Sequence, residues 1–301
     1  MSNKYNIKIL GTDYNETLDP SRMEIGLGYI AFQNNWNSGN YPRALKLLTL
    51  EQGKMVCQMG RDGCDNKLLE SFSHTLEGEN FEELYEKIHY ADENGDVVNF
   101  EENLNGFPRY LYEKFVPSKI KNKTGGEFYK GSMETFDKAT RKDVRTMVYT
   151  HAIENLVNKK LGETKNKDKF TEGVLGNKFK TNENGEIIGV DWEVDDPQTP
   201  KDERKSDFLD LWKKEGINPN EIAYIENELN GVLYKLKEEG GLPIIAPSAD
   251  YDVKEEANKE DIFVPDSKNI EDGWKDIRKY IGLENSKQYA LGNINKSTKG
   301  M

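Results

Sequence analysis

The chain has 301 residues, 35% of them hydrophobic and 32% charged, enough to bury a sizeable core while leaving much of its length as solvated surface and loop. Its 54 acidic residues against 42 basic ones give a net charge of -12, which disfavours general binding to nucleic acid or to anionic lipid. Two cysteines exclude a disulfide framework, and with no leader-like start and no apolar run near the roughly 18 residues of a membrane span, a cytoplasmic protein is expected, in a host cytoplasm or virion if a virus encodes it.

Ile7, Ile9 and Leu10 predict a first short strand, followed by the turn-rich loop "GTDYNETLDPS" and a second strand over Glu24 to Phe32. A helix follows in "YPRALKLLTLEQG", then strand character around Cys57, then a helix whose first turn holds Cys64. Asn94-Gly95 and Asn184-Gly185 each sit between strand-forming segments and predict two hairpins with type I′ turns. From Ser132 to Leu161 the spacing of Val144, Met147, Val148, His151 and Leu156 predicts a helix, and another runs from Pro200 to Gly216. The stretch from Asn218 to Gly241 also reads as a helix, with Asn218 as cap, Pro219 in the first turn, Glu221 completing a capping box and Gly240-Gly241 as the stop.

Beyond Gly241 prolines and charges separate the short apolar pieces "PIIAP" and "DIFVP", which reads as an extended arm before a last helix carrying Trp274, Ile277, Tyr280 and Ile281. The class expected is α+β. It comprises a mixed domain over 1–130 with short strands and hairpins, a helical domain with an inserted hairpin over 131–241, and an arm, terminal helix and tail over 242–301.

Two chemistries are weighed. A thiolate at Cys64 would be stabilised by a helix N-terminus and would need a base, for which His74 and His151 are the candidates. The pair His151-Ala152 resembles the His-Ala step of papain-like proteases, where the histidine opens a strand; the helical spacing around His151 argues against that context. Asp191, Glu193, Asp195 and Asp196 place alternate carboxylates beside Trp192, suited to a divalent cation or to acid-base work in a transferase. "DENGD" at Asp92 to Asp96 lacks the Gly and Glu that an EF-hand needs, so the hairpin accounts for it better.

With no complete catalytic constellation, the sequence reads first as an acidic binding or assembly protein, of a kind a virus also encodes. It would act without a cofactor through contacts with another protein or a second copy of itself. Ile244, Ile245, Tyr251, Ile262, Phe263 and Val264 on the arm are the candidate contact residues. The alternatives are an enzyme using Cys64 or the acidic cluster, and an acidic mimic of nucleic acid.

Overall fold

The computed structural model describes residues 5–19, 31, 34–44, 76–86, 128–194, 199–200 and 202–284. The readings at Cys57, Cys64, His74, the Asn94-Gly95 turn, Asp195 and Asp196 lie outside the described residues. Along the chain run β1 (Ile9–Thr12), α1 (Ser132–Thr140), β2 (Arg145–Ile153), α2 (Glu154–Glu163), β3 (Val174–Thr181), β4 (Ile187–Asp191), α3 (Phe208–Lys213), β5 (Ile222–Glu226), α4 (Gly231–Glu238), β6 (Leu242–Ile245), α5 (Tyr251–Lys259) and α6 (Ile270–Tyr280). The strands form one mixed sheet in the order β4-β3-β2-β1-β5-β6, parallel except for the β3–β4 pair, and the class is α+β as expected.

Parallel strands covered on both faces are apolar along their length. Every residue of β1, β5 and β6 is buried. Side chains alternate between the two faces. Leu10, Val148, Ile225 and Ile244 pack with Phe136 of α1, Leu156 of α2 and Trp274 of α6. Ile9, Tyr149, Tyr224 and Ile245 pack with Phe208 and Trp212 of α3 and Val232 of α4. The sheet therefore has helices on both sides, and it draws strands from all three sequence segments.

Three helical or extended readings are corrected. The stretch from Ser132 to Leu161 is two helices with β2 between them, its β-branched and aromatic residues filling a buried strand position. Glu221 does accept the Asn218 backbone N–H at 3.1 Å, but this closes only a 3-10 turn before the chain enters β5. The start of the supposed arm is β6, an edge strand where Pro243 is tolerated. The hairpin at Asn184-Gly185 joins β3 to β4, with a different turn from the one expected. Gly185 alone has positive φ, at 80°, and its N–H bonds to the Asn182 carbonyl, the pattern of a type I turn closed by a left-handed glycine. Among the described residues no helix is long and apolar enough to cross a membrane.

Candidate active site

The chain leaves β1 for β2, β3 and β4 on one side and returns to the other side for β5 and β6. β1 and β5 are therefore adjacent strands whose outgoing connections diverge, and the crevice beyond the carboxyl ends of such a pair is where open α/β sheets bind ligands. The residue that follows β1 is Asp13, and the last residue of β5 is Glu226. The Asp13 N–H bonds to the Ile225 carbonyl at 3.0 Å, which holds the two strand ends side by side.

Lys205 lies between the two carboxylates. Its Nζ donates to Asp13 Oδ1 and to Glu226 Oε2, each at 2.7 Å, and the three residues are 2%, 6% and 2% exposed in the order Lys205, Asp13, Glu226. The lysine comes from the turn before α3 and has φ 57°, a left-handed conformation that costs a non-glycine residue energy and recurs at functional sites. Asn230 Nδ2 donates to Glu226 Oε2 at 3.0 Å, and the Asn227 N–H donates to Oε1 at 3.1 Å.

The electrostatics follow from burial. Removal from water opposes the Lys205 ammonium most, and the charges of Asp13 and then Glu226 outweigh it, so its pKa stands above the ordinary value. The Glu226 carboxyl is pushed up to about 7, first by burial and then by the charge of Asp13, with Lys205 pulling the other way. A carboxyl in that range changes charge near neutral pH beside a second carboxylate, as acid-base groups of enzymes do.

The loop after β1 is held from several directions. The Tyr14 carbonyl accepts the N–H of Leu18 at 2.9 Å and that of Asp19 at 3.2 Å, curling the loop on itself. Tyr14 Oη donates to Asp19 Oδ2 at 2.9 Å, and Lys160 of α2 pairs with the same oxygen at 2.6 Å. Thr17 Oγ1 donates to Asn227 Oδ1 at 3.0 Å, and Ser248, after β6, donates its hydroxyl to the Glu16 carbonyl. Tyr129, whose N–H bonds to the Leu18 carbonyl, has its phenol pushed up to about 12 by burial and by the charges of Glu16 and Asp19.

The residues singled out from sequence lie elsewhere. His151 is on β2, half-buried, in a strand and not a helix. Asp191 ends β4 and pairs with Lys180, while Glu193 pairs with Lys178 at 3.0 Å; β4 is three strands from β1. Among the described residues no three His, Cys, Asp or Glu side chains come together in a way that would hold a metal ion. Ile244, Ile245 and Ile262 are buried in this chain's own core; Val264 is half-buried, and Phe263 stacks on Tyr280 at 3.8 Å between ring centroids. Tyr251 alone of that set is exposed. Asp13, Lys205 and Glu226 escaped the sequence reading. The available signals were an acidic residue directly after the apolar run "IKILGT" and another closing "IAYIE".

No protein-family model matches the chain, and no curated protein matches it. Solved structures do. A phosphoserine phosphatase with substrate bound superposes with a TM-score of 0.50 at 13% identity, covering 84% of this chain and 91% of that one. A protein of unknown function from Bordetella pertussis Tohama I superposes with a TM-score of 0.52 at 11% identity, covering 85% and 97%. These two likenesses are of fold. This likeness overturns the binding and assembly reading and its viral emphasis: the fold is one found in a phosphoserine phosphatase.

Proposed function

We propose that the protein is a hydrolase of small phosphate monoesters that uses Asp13 as a carboxylate nucleophile. The observation that carries this reading is the buried Asp13–Lys205–Glu226 centre at the point where the connections from β1 and β5 diverge. The substrate of the phosphoserine phosphatase with the same fold supports the choice of ester. Lys205 holds Asp13 Oδ1, which leaves Oδ2 for the incoming phosphorus. In the first step Oδ2 bonds to phosphorus, the bond from phosphorus to the ester oxygen breaks, and the alcohol leaves with a proton from solvent. In the second, water attacks phosphorus, the bond to Asp13 breaks, a proton passes to solvent, and inorganic phosphate and the free carboxylate are released. A cytoplasmic setting belongs to this proposal and is supported by the low cysteine content.

Phosphoryl transfer commonly draws on Mg²⁺, which proteins hold through one or two carboxylates together with the substrate phosphate. The described residues do not fit a free-standing site for it. Only two carboxylates converge, both engaged by an ammonium, and the neighbouring side chains Asn227 and Asn230 are neutral amides. No step here is routed through a cation.

The test is phosphate release by the full chain from a panel of small phosphomonoesters, with acid quench and peptide mass spectrometry. Expected are turnover and a phosphoryl adduct on the peptide holding Asp13, both lost in Asp13→Asn. Turnover that survives in folded Asp13→Asn overturns the assignment.

A further inference from the structure

A buried carboxylate needs donors, and the loop that follows Asp13 is built around one. Asp19 is fully buried, and its Oδ2 accepts from the Tyr14 phenol at 2.9 Å and pairs with the Lys160 ammonium at 2.6 Å. Its backbone closes the same loop. The Asp19 N–H bonds to the Tyr14 carbonyl at 3.2 Å, and the Asp19 carbonyl accepts the Glu16 N–H at 2.7 Å. The loop from Tyr14 thus returns to Asp19 through both main chain and side chain.

This shape needs support from outside the loop. Glu16 stands at φ 57°, a conformation that a non-glycine residue keeps only where its surroundings fix it. Lys160 supplies a fixed point. It lies on α2, 7% exposed, and its Nζ stands 5.7 Å from the centroid of the Phe128 ring, which meets the Tyr14 ring edge-on at 6.2 Å. Tyr14 directly follows Asp13, so a shift of the Tyr14 ring or of its acceptor at Asp19 turns the peptide that carries the nucleophile.

We propose that Lys160 is a positioning residue for Asp13, acting through Asp19 and Tyr14 without touching the substrate. Its kinetic consequence rests on the phosphate-ester reading above. An ion pair that serves stability alone is replaceable: exchanging both buried charges for apolar residues of similar size leaves a protein as stable as before or more so. A pair that positions a loop is not replaceable in this way, because apolar side chains offer the Tyr14 phenol no acceptor and leave the loop without its fixed point.

Three variants of the full chain separate the two roles: Lys160→Met, Asp19→Leu with Lys160→Met, and Tyr14→Phe. Lys160→Met leaves Asp19 buried without its counter-charge and should unfold at lower urea than the parent, whereas the double variant should return to the parental midpoint or above it. Measured per folded molecule on a small phosphomonoester, kcat should fall about tenfold or more in Lys160→Met and stay down in the double variant. KM should remain within about twofold of the parent's. Tyr14→Phe keeps the ion pair and should show the same split in smaller measure.

Amide hydrogen exchange gives a reading that needs no substrate. The Leu18 and Asp19 N–H groups, both bonded to the Tyr14 carbonyl, should exchange about tenfold faster in the double variant than in the equally stable parent. Parental kcat in the double variant or in Tyr14→Phe, parental exchange of these amides in the double variant, or a loss carried by KM with kcat unchanged each overturns the proposal. If the Lys160 variants do not fold, or the double variant stays as weak as the single one, Tyr14→Phe decides. Failure of the hydrolysis reading is distinct: it would show as a parent that releases phosphate from no ester, and the exchange of the loop amides would then still decide whether Lys160 holds the loop.

Discussion

Thr17 Oγ1 donates to Asn227 Oδ1 at 3.0 Å, tying the loop that follows β1 to the residue that follows β5. Asp13 opens that loop and Glu226 directly precedes Asn227, so the hydrogen bond fixes the two halves of the centre against each other. Thr17→Val keeps the shape and removes the donor. We expect a stability loss of about 1 kcal/mol. Turnover should fall by about tenfold through misplacement of the nucleophile, with KM changed less than kcat. Equal kcat in parent and variant would show that the tie does not position Asp13.

The three members of the centre should differ in what their removal costs. Lys205→Met leaves two carboxylates buried together without an opposing charge, a change of the kind that costs about 3–5 kcal/mol. Asp13→Asn leaves the Lys205–Glu226 pair in place and should cost distinctly less in urea unfolding. The double variant should be more stable than the sum of the single losses predicts, because removing Asp13 relieves the repulsion that Lys205→Met exposes. Strict additivity would mean that the charges do not act as a unit.

Glu226 gives stability a pH dependence. Its carboxyl lies at about 7 in the folded chain against an ordinary value of 4.5, raised by burial and by the charge of Asp13. The folded state thus holds this proton more tightly than the unfolded state does. Between about 4.5 and about 7 a rise in pH costs stability through this group, and above that window the cost is constant. In Glu226→Gln the contribution disappears, so the difference in unfolding free energy should move in favour of the variant as pH is raised across the window. A difference that stays flat across it would contradict the assignment.

The β3–β4 hairpin supplies a local test. Gly185 has φ 80°, and a Cβ there would stand 3.1 Å from Asn80 Nδ2, which donates to the Asn184 carbonyl at 2.9 Å. Gly185→Val adds both a left-handed β-branched residue and a crowded clasp, at about 1–3 kcal/mol. A melting temperature equal to that of the parent would show that the turn relaxes without cost.

The legible parts of the sequence were those with local chemistry. The place of the Asn184-Gly185 hairpin, though not its turn type, the fit of Asn218 to Glu221 and the last helix are written in neighbouring residues. β5 was not legible, because "IAYIE" is a short apolar run that suits a buried strand or a helix equally, and a true turn signal on its N-terminal side favoured the wrong one. β2 was lost for a related reason: Val144, Met147, Val148 and His151 fall at helical spacing by coincidence while the strand alternates. Misreading both strands removed the sheet from view, and with it the adjacency of Asp13 and Glu226. Lys205 was invisible for another reason, since its partner Asp13 is 192 positions away and only the tertiary fold joins them.

That joining depends on the absence of a side chain at Gly11. A Cβ at this position of β1 would stand 2.4 Å from Phe208 Cζ and 2.6 Å from Tyr224 Cδ2, so the glycine is what lets the fully buried Phe208 ring close on the strand. The Phe208 N–H bonds to the Lys205 carbonyl at 3.1 Å, and Lys205 in turn reaches Asp13, two residues beyond Gly11. The contact at Gly11 thereby sets how near α3 and its preceding turn approach the end of β1. Gly11→Ala should push Phe208 outward, costing about 1–3 kcal/mol as an overpacked core does. It should also lower kcat, because Lys205 withdraws from the nucleophile. Phe208→Leu shortens the ring that the new methyl group meets, so Gly11→Ala with Phe208→Leu should recover part of both losses, and a double-mutant cycle gives the coupling. If the second substitution restores stability and leaves kcat at the Gly11→Ala level, the packing of Phe208 does not govern the position of Lys205.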